Sequence, residues 1–202
     1  MKEQYIKMAC GGVVAGAIIA CAGVASNLAA ASFPILKALI FPFGLLLICY
    51  GKFQLFTGNV YKIGRDETFS PELKIILLTI NYIANFIGAF LIALFVKIPF
   101  ESAFFTKLDT GPFVGLGLAI GCNFLVCLGV KLFKVSPVAT YIAVALFVAC
   151  GFEHSVANMY YFLCVPWSGY NFALGTIMMI VYTIGNIIGG WLVIKLERIL
   201  EK

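Results

Sequence analysis

Charge is scarce in this chain. Lysine, arginine, aspartate and glutamate make up 11% of its 202 residues, whereas a soluble domain carries about a quarter. A water-exposed globular surface is thereby excluded. Histidine occurs once, at position 154, so a metal centre or catalytic pair built on two imidazoles is excluded as well. No G-x-S-x-G elbow and no phosphate-binding G-x-x-x-x-G-K-[ST] loop is present, which removes the usual serine hydrolase and nucleotide-driven pump signatures. The seven cysteines (Cys10, Cys21, Cys49, Cys122, Cys127, Cys150 and Cys164) form no C-x-x-C pair and lie within apolar runs. They read as small buried side chains, not as disulfides or metal ligands.

What is abundant is apolar surface. The chain is 62% hydrophobic, its mean hydropathy is +1.04, and charge-free runs extend over Met8 to Leu36, Ile75 to Val96, Thr110 to Val130, Val135 to Phe152 and Ser155 to Ile194. A spanning helix needs about 20 apolar residues, so these runs predict five or six spans in one domain over residues 1–202. The first run lacks a basic region followed by a small-residue cleavage site and is too long for a signal-peptide core, so it is read as a retained span. The net charge of +5 sits in the short connections and at the ends, which points to membrane topology and not to nucleic acid. With six spans and the N-terminus inside, Lys2, Lys7, Lys62, Arg65, Lys74, Lys131, Lys134, Lys195, Arg198 and Lys202 are cytoplasmic, against Lys37, Lys97 and Lys107 outside. That bias obeys the positive-inside rule and puts both termini in the cytoplasm, with the cell membrane as the expected location.

Four spans are expected at about Lys7 to Ala29, Leu73 to Val96, Phe113 to Leu132 and Phe172 to Leu196. In the first, Gly11, Ala15, Gly16 and Ala22 offer a close-packing face. The two remaining stretches are interrupted. Between Pro34 and Ile63 stand Gly51, Lys52, Gln54, Thr57, Gly58 and Asn59; between Ser136 and Pro166 stand Gly151, Glu153, His154, Ser155 and Asn158. Each reads as a helix broken at membrane depth, where irregular backbone survives only if protein buries it or water reaches it. Paired interruptions in two halves point to an inverted-repeat transporter with its site near the midplane. The counted spacing agrees: Lys7 precedes Asn59 by 52 residues and Lys107 precedes Asn158 by 51. The repeats would span about 7–97 and 107–196.

The stretches "LFTGN" (Leu55 to Asn59) and "GFEHSVANM" (Gly151 to Met159), supported by "CNFLVCL" (Cys122 to Leu128) and "GNIIGG" (Gly185 to Gly190), resemble the signatures of the formate/nitrite transporter family over about Lys7 to Lys195. The resemblance implies an all-α, aquaporin-like fold of six transmembrane helices in two inverted three-helix repeats, with broken second and fifth helices. It also implies a ring of five subunits, each with its own pore and no cofactor. It would set His154 across the pore from Thr57, make Lys7 and Lys107 the vestibule lysines, and build apolar constrictions from Phe41, Leu45 and Phe56 in one half and Val126 and Phe147 in the other.

An ionisable side chain inside a span is costly and therefore a functional candidate by default, and His154 leads. Out of water the imidazole is expected neutral at rest, still able to donate a hydrogen bond to an anion or exchange a proton with it. Thr57 supplies a hydroxyl that donates or accepts. Asn59 and Asn158 are expected to brace backbone freed by the breaks, and Glu153 to turn from the pore toward backbone amides or an interface. The function so read is passage of a small weak-acid anion, formate first, with a proton. Nitrite, hydrosulfide, acetate and lactate stay open. An intramembrane hydrolase using Ser155 and a purely structural membrane protein are the alternatives of other classes. Lys52, Phe53 and Gln54 depart from the family pattern, standing where a glycine, a small residue and an acid are expected.

Overall fold

A computed structural model describes residues 2–96, 107–167 and 169–201; Lys97 and Lys202, counted above for topology, lie outside them. Among the described residues the secondary structure is helical, without strands. The helices are α1 (Lys2–Ala30), α2 (Leu36–Ile40), α3 (Pro42–Tyr50), α4 (Phe56–Arg65), α5 (Pro71–Phe95), α6 (Gly111–Leu132), α7 (Pro137–Ala149), α8 (Ser155–Cys164) and α9 (Gly169–Leu200). Four of them, α1, α5, α6 and α9, are long and apolar enough to cross a membrane.

Helix starts follow from local chemistry. Ser70 and Ser136 each precede a proline, and each hydroxyl accepts an N–H three residues on, from Leu73 and Ala139 at 3.3 Å. Serine at the N-cap satisfies an orphan amide, and proline at the next position has no amide to satisfy. Helix α3 ends at Tyr50 and α4 begins at Phe56; α7 ends at Ala149 and α8 begins at Ser155.

The long helices pack in two pairs, α1 against α5 and α6 against α9. Small residues set how closely they approach. A Cβ placed on Gly16 would lie 2.0 Å from the Asn85 carbonyl oxygen, and one on Gly88 2.0 Å from that of Val13. In the other pair, a Cβ on Gly189 would lie 2.2 Å from the Ile120 carbonyl oxygen. Backbone meets backbone in both, the contact that association in lipid depends on. On α1 the buried face runs through Gly12, Ala15, Gly16, Ile19 and Gly23. Gly11 and Ala22, expected on that face, are half-buried at its edge. Large apolar side chains such as Ile75, Phe90 and Phe113 remain exposed on the outer surface, as a lipid-facing surface requires. All seven cysteines are free thiols.

Candidate functional site

The two irregular stretches carry the same bonds on different residues. In the first, the Gly51, Lys52 and Phe53 amides donate to the carbonyls of Leu47, Cys49 and Ile48. In the second, the Cys150, Gly151 and Phe152 amides donate to Leu146, Val148 and Phe147, 99 positions on in every case. The Gln54 amide then reaches Gly11 on α1, and the Glu153 amide reaches Leu118 on α6.

Two buried asparagines complete each arrangement from a long helix. Asn85 Oδ1 accepts the Phe56 amide at 2.8 Å, while its Nδ2 donates to the Gly12 and Gln54 carbonyls. Asn186 does the same for the Ser155 amide and for the Ala119 and Glu153 carbonyls. Irregular backbone at membrane depth carries groups that lipid cannot satisfy; these side chains answer that need, helped by Asn81, whose Nδ2 donates to the Gln54 carbonyl at 2.6 Å. Asn59 and Asn158 do not bond backbone carbonyls. Their amides donate to side chains instead, Asn59 to Gln54 Oε1 (3.1 Å) and Asn81 Oδ1 (2.7 Å), and Asn158 to Glu153 Oε2 (2.8 Å). The cause is register: each asparagine stands in the first turn of its helix, five residues after the loop side chain that it bonds, and its amide faces back onto it. A signal for Asn85 and Asn186 was present, since an amide in an otherwise apolar helix needs a partner.

The N-terminal ends of α4 and α8 meet at the centre. Thr57 Oγ1 lies 2.9 Å from His154 Nε2, and both residues are buried. His154 Nδ1 accepts the Ala157 amide at 3.1 Å, so the imidazole caps its own helix. An accepting Nδ1 carries no proton, which assigns the remaining proton of a neutral ring to Nε2. Nε2–H therefore donates to Thr57, whose hydroxyl hydrogen stays available for a third group. Phe147 stacks on the His154 ring at a centroid distance of 5.8 Å, and Phe41 meets both rings edge-on. Beside them Ile19, Leu45, Leu55, Val126 and Val144 close an apolar gap with no room for a water molecule.

On the His154 side this gap opens into a pocket lined by Lys37, Lys107, Phe41, Phe147, Asn158 and Tyr161, among others. Lys107 Nζ is 2.6 Å from Glu153 Oε2.

A family model described as formate/nitrite transporter matches residues 1–199. The chain belongs to that family. It is 31% identical to the uncharacterized transporter YrhG of Bacillus subtilis (strain 168) over 185 residues, covering 77% of this chain and 67% of that protein. It is 30% identical to a probable formate transporter of Methanothermobacter thermautotrophicus, over 88% of this chain and 82% of that one. Among solved structures, a pentameric formate channel with formate bound superposes with a TM-score of 0.77 at 25% identity, covering 98% of this chain and 97% of the other. A second, described as an FNT family ion channel, gives a TM-score of 0.80 at 23% identity over 98% and 89% of the two chains.

This chain is therefore an integral membrane protein of a transport family, not an enzyme. The Ser155 hydroxyl is buried with no hydrogen-bond partner among the described residues. Of the transporter residues predicted from sequence, His154, Phe41, Leu45, Val126 and Phe147 line one gap, with Thr57 bonded to His154 beside it. Phe56 does not join them; its ring packs edge-on against Tyr82 at 5.0 Å, because its amide is held by Asn85 and the side chain leaves on the opposite side of α4. Glu153 bonds Lys107 and Asn158 instead of backbone amides. Lys7 is exposed on α1 and has no ion-pair partner among the described residues. Its counted match with Lys107 does not follow the bonded register, in which Gly12 corresponds to Ala119: Lys7 stands five residues before the first and Lys107 twelve before the second. Lys37, Leu55, Asn85 and Asn186 are the site residues that the sequence reading passed over.

Proposed function

We propose that the chain is a pore for small monovalent weak-acid anions, formate first, with nitrite, hydrosulfide, acetate and lactate as the other candidates, and that the anion crosses together with a proton. The hydrogen bond between Thr57 and His154 carries this reading. It joins the N-terminal ends of two short helices, which favour negative charge, inside walls too apolar to pass a bare ion. A carboxylate drawn to the mouth by Lys107 and Lys37 loses hydration as it enters and takes up a proton. As the neutral acid it passes Phe41 and Phe147, meets the free Thr57 hydroxyl hydrogen, and gives up its proton on the far side. The proton comes from water at the mouth in this reading, since protonating His154 Nδ1 would cost the bond that caps α8.

The architecture that goes with it is six spans in two inverted three-helix repeats, aquaporin-like, with α3–α4 and α7–α8 as the broken second and fifth spans. The equivalent Asn85 and Asn186 bonds support the repeat. Five copies form a ring in the cell membrane with both termini cytoplasmic, the pentamer being supported by the solved formate channel of that form.

Labelled formate uptake into proteoliposomes tests the reading, with an inward proton gradient and without one. Gradient-stimulated uptake is expected, falling about tenfold or more in His154→Ala, since Thr57 then loses the Nε2–H that turns its hydroxyl hydrogen toward the permeant group, and a buried hydrogen bond lost with one partner left unpaired costs about 1–3 kcal/mol. Uptake indifferent to the gradient would remove the proton from the mechanism. No uptake from assembled protein would remove formate.

A further inference from the structure

The 99-residue correspondence allows the two mouths to be compared position by position, and they differ most in charge. In the second half the sequence at the break is Cys150, Gly151, Phe152 and Glu153; in the first it is Gly51, Lys52, Phe53 and Gln54. Gly151 has a φ of 67°, and Lys52, its counterpart, has a φ of 55°, the one positive value among described residues other than glycine. That backbone region disfavours every side chain, so a lysine there is retained against a conformational cost, and such strain collects at functional positions. A Cβ built on Gly151 meets nothing within 4 Å, so a side chain at this place enters open space; Lys52 is exposed.

Two further positions shift the same way. Glu153 holds a carboxylate against Lys107. Its counterpart Gln54 holds a neutral amide, which bonds the Lys52 carbonyl and Asn59. Tyr161, which lines the second mouth, corresponds to Lys62, which is exposed on α4. One mouth thus carries Lys107 and Lys37 with an acid paired to Lys107. The matching places in the first half hold Lys52 and Lys62, both exposed, and no acid.

We propose that Lys52 and Gln54 make the first-half mouth an anion-capture site, so that the pore fills with small carboxylate-type anions at lower concentration from that side than from the other. The inference rests on the proposed transport of such anions and on the inverted repeat that sends the mouths to opposite faces. Uncompensated cations at a funnel raise local anion concentration. At the second mouth the ion pair leaves less of that field, and an anion approaching Lys107 must compete with Glu153.

The test is formate flux in proteoliposomes of defined orientation, measured from each side over a concentration series at low and at physiological ionic strength. In the wild type the half-saturating concentration is expected to be severalfold lower from the Lys52 side at about 0.01 M salt, and to converge toward the other at about 0.15 M, where the screening length falls to about 8 Å. Lys52→Gly and Gln54→Glu should each raise it severalfold from that side alone, and Lys52→Arg should keep the wild-type value. Lys52→Gly installs the residue that suits the backbone, so loss of folding does not explain its effect. Equal half-saturation from the two sides in an active wild type, or variants that act on both sides alike, would overturn the inference and leave the transport function standing. A wild type that carries no formate from either side would overturn both.

Discussion

The central contact is a bond between a threonine and a histidine that has already been used once, as a helix cap. Because Nδ1 accepts the Ala157 amide, only Nε2 can donate, and Thr57 Oγ1 is the atom it reaches. Thr57→Val removes the hydroxyl at nearly constant volume and leaves a buried N–H unpaired, a cost of about 1–3 kcal/mol. Both thermal stability in detergent and formate flux should fall, and Thr57→Ser should restore most of each. If valine left flux unchanged, the hydroxyl would have no part in passage. Lys52 gives the opposite sign. A left-handed residue with a side chain costs about 1–2 kcal/mol, and glycine's extra freedom in the unfolded chain takes back about 0.5–1 kcal/mol. Lys52→Gly should therefore raise stability by up to about 1.5 kcal/mol, read as a small upward shift in unfolding temperature, while weakening capture. A stability gain coupled to a functional loss is the pattern expected where a strained residue serves a site.

At the scale of helices, the breaks are held from outside themselves. Asn186 alone satisfies the Ser155 amide and two carbonyls, those of Ala119 and Glu153, on separate segments. Asn186→Leu strands all three in surroundings without water, and a loss of more than about 3 kcal/mol is expected, seen as poor assembly in size-exclusion chromatography. Asn85→Leu should cost the first half less, since the Gln54 carbonyl keeps its bond from Asn81. Survival of either variant with normal assembly would mean that water reaches the breaks. The two irregular stretches, 51–55 and 150–154, stood out in the sequence because glycine, charge and amides inside apolar runs are hard to place on a continuous helix. The four long helices were legible from run length alone, within a few residues at each end. What holds the breaks was not, since Asn85 lies 29 positions from the Phe56 amide it caps and no local pattern links them. For the same reason Phe41, Leu45, Val126 and Phe147 came from the family resemblance alone, and that they line one gap depends on how α3, α6 and α7 meet. Phe56, one position before Thr57, shows the limit: neighbouring residues on a helix face different ways.

For the molecule as a whole, the correspondence between halves is close at the centre and lapses at the ends. Tyr61 and Tyr160 occupy matching places on α4 and α8. Tyr160 donates to the Val96 carbonyl at 2.6 Å. Tyr61 donates to the carboxylate of Glu197, which also receives Arg65 at 2.6 Å and Lys131 at 3.0 Å. Arg65 reaches on to Glu201 at 2.8 Å, so the last turn of α4 is tied to α6 and α9 by several charged bonds. The helix that presents Thr57 is thus moored at its far end on a charged knot. Glu197→Gln should loosen that mooring: amide hydrogens of α4 are expected to exchange with deuterium faster in the variant, followed peptide by peptide by mass spectrometry, and unchanged exchange would mean that the knot does not hold the helix. The pore would then lose its threonine side first, with the His154 N–H left in place and nothing to receive it.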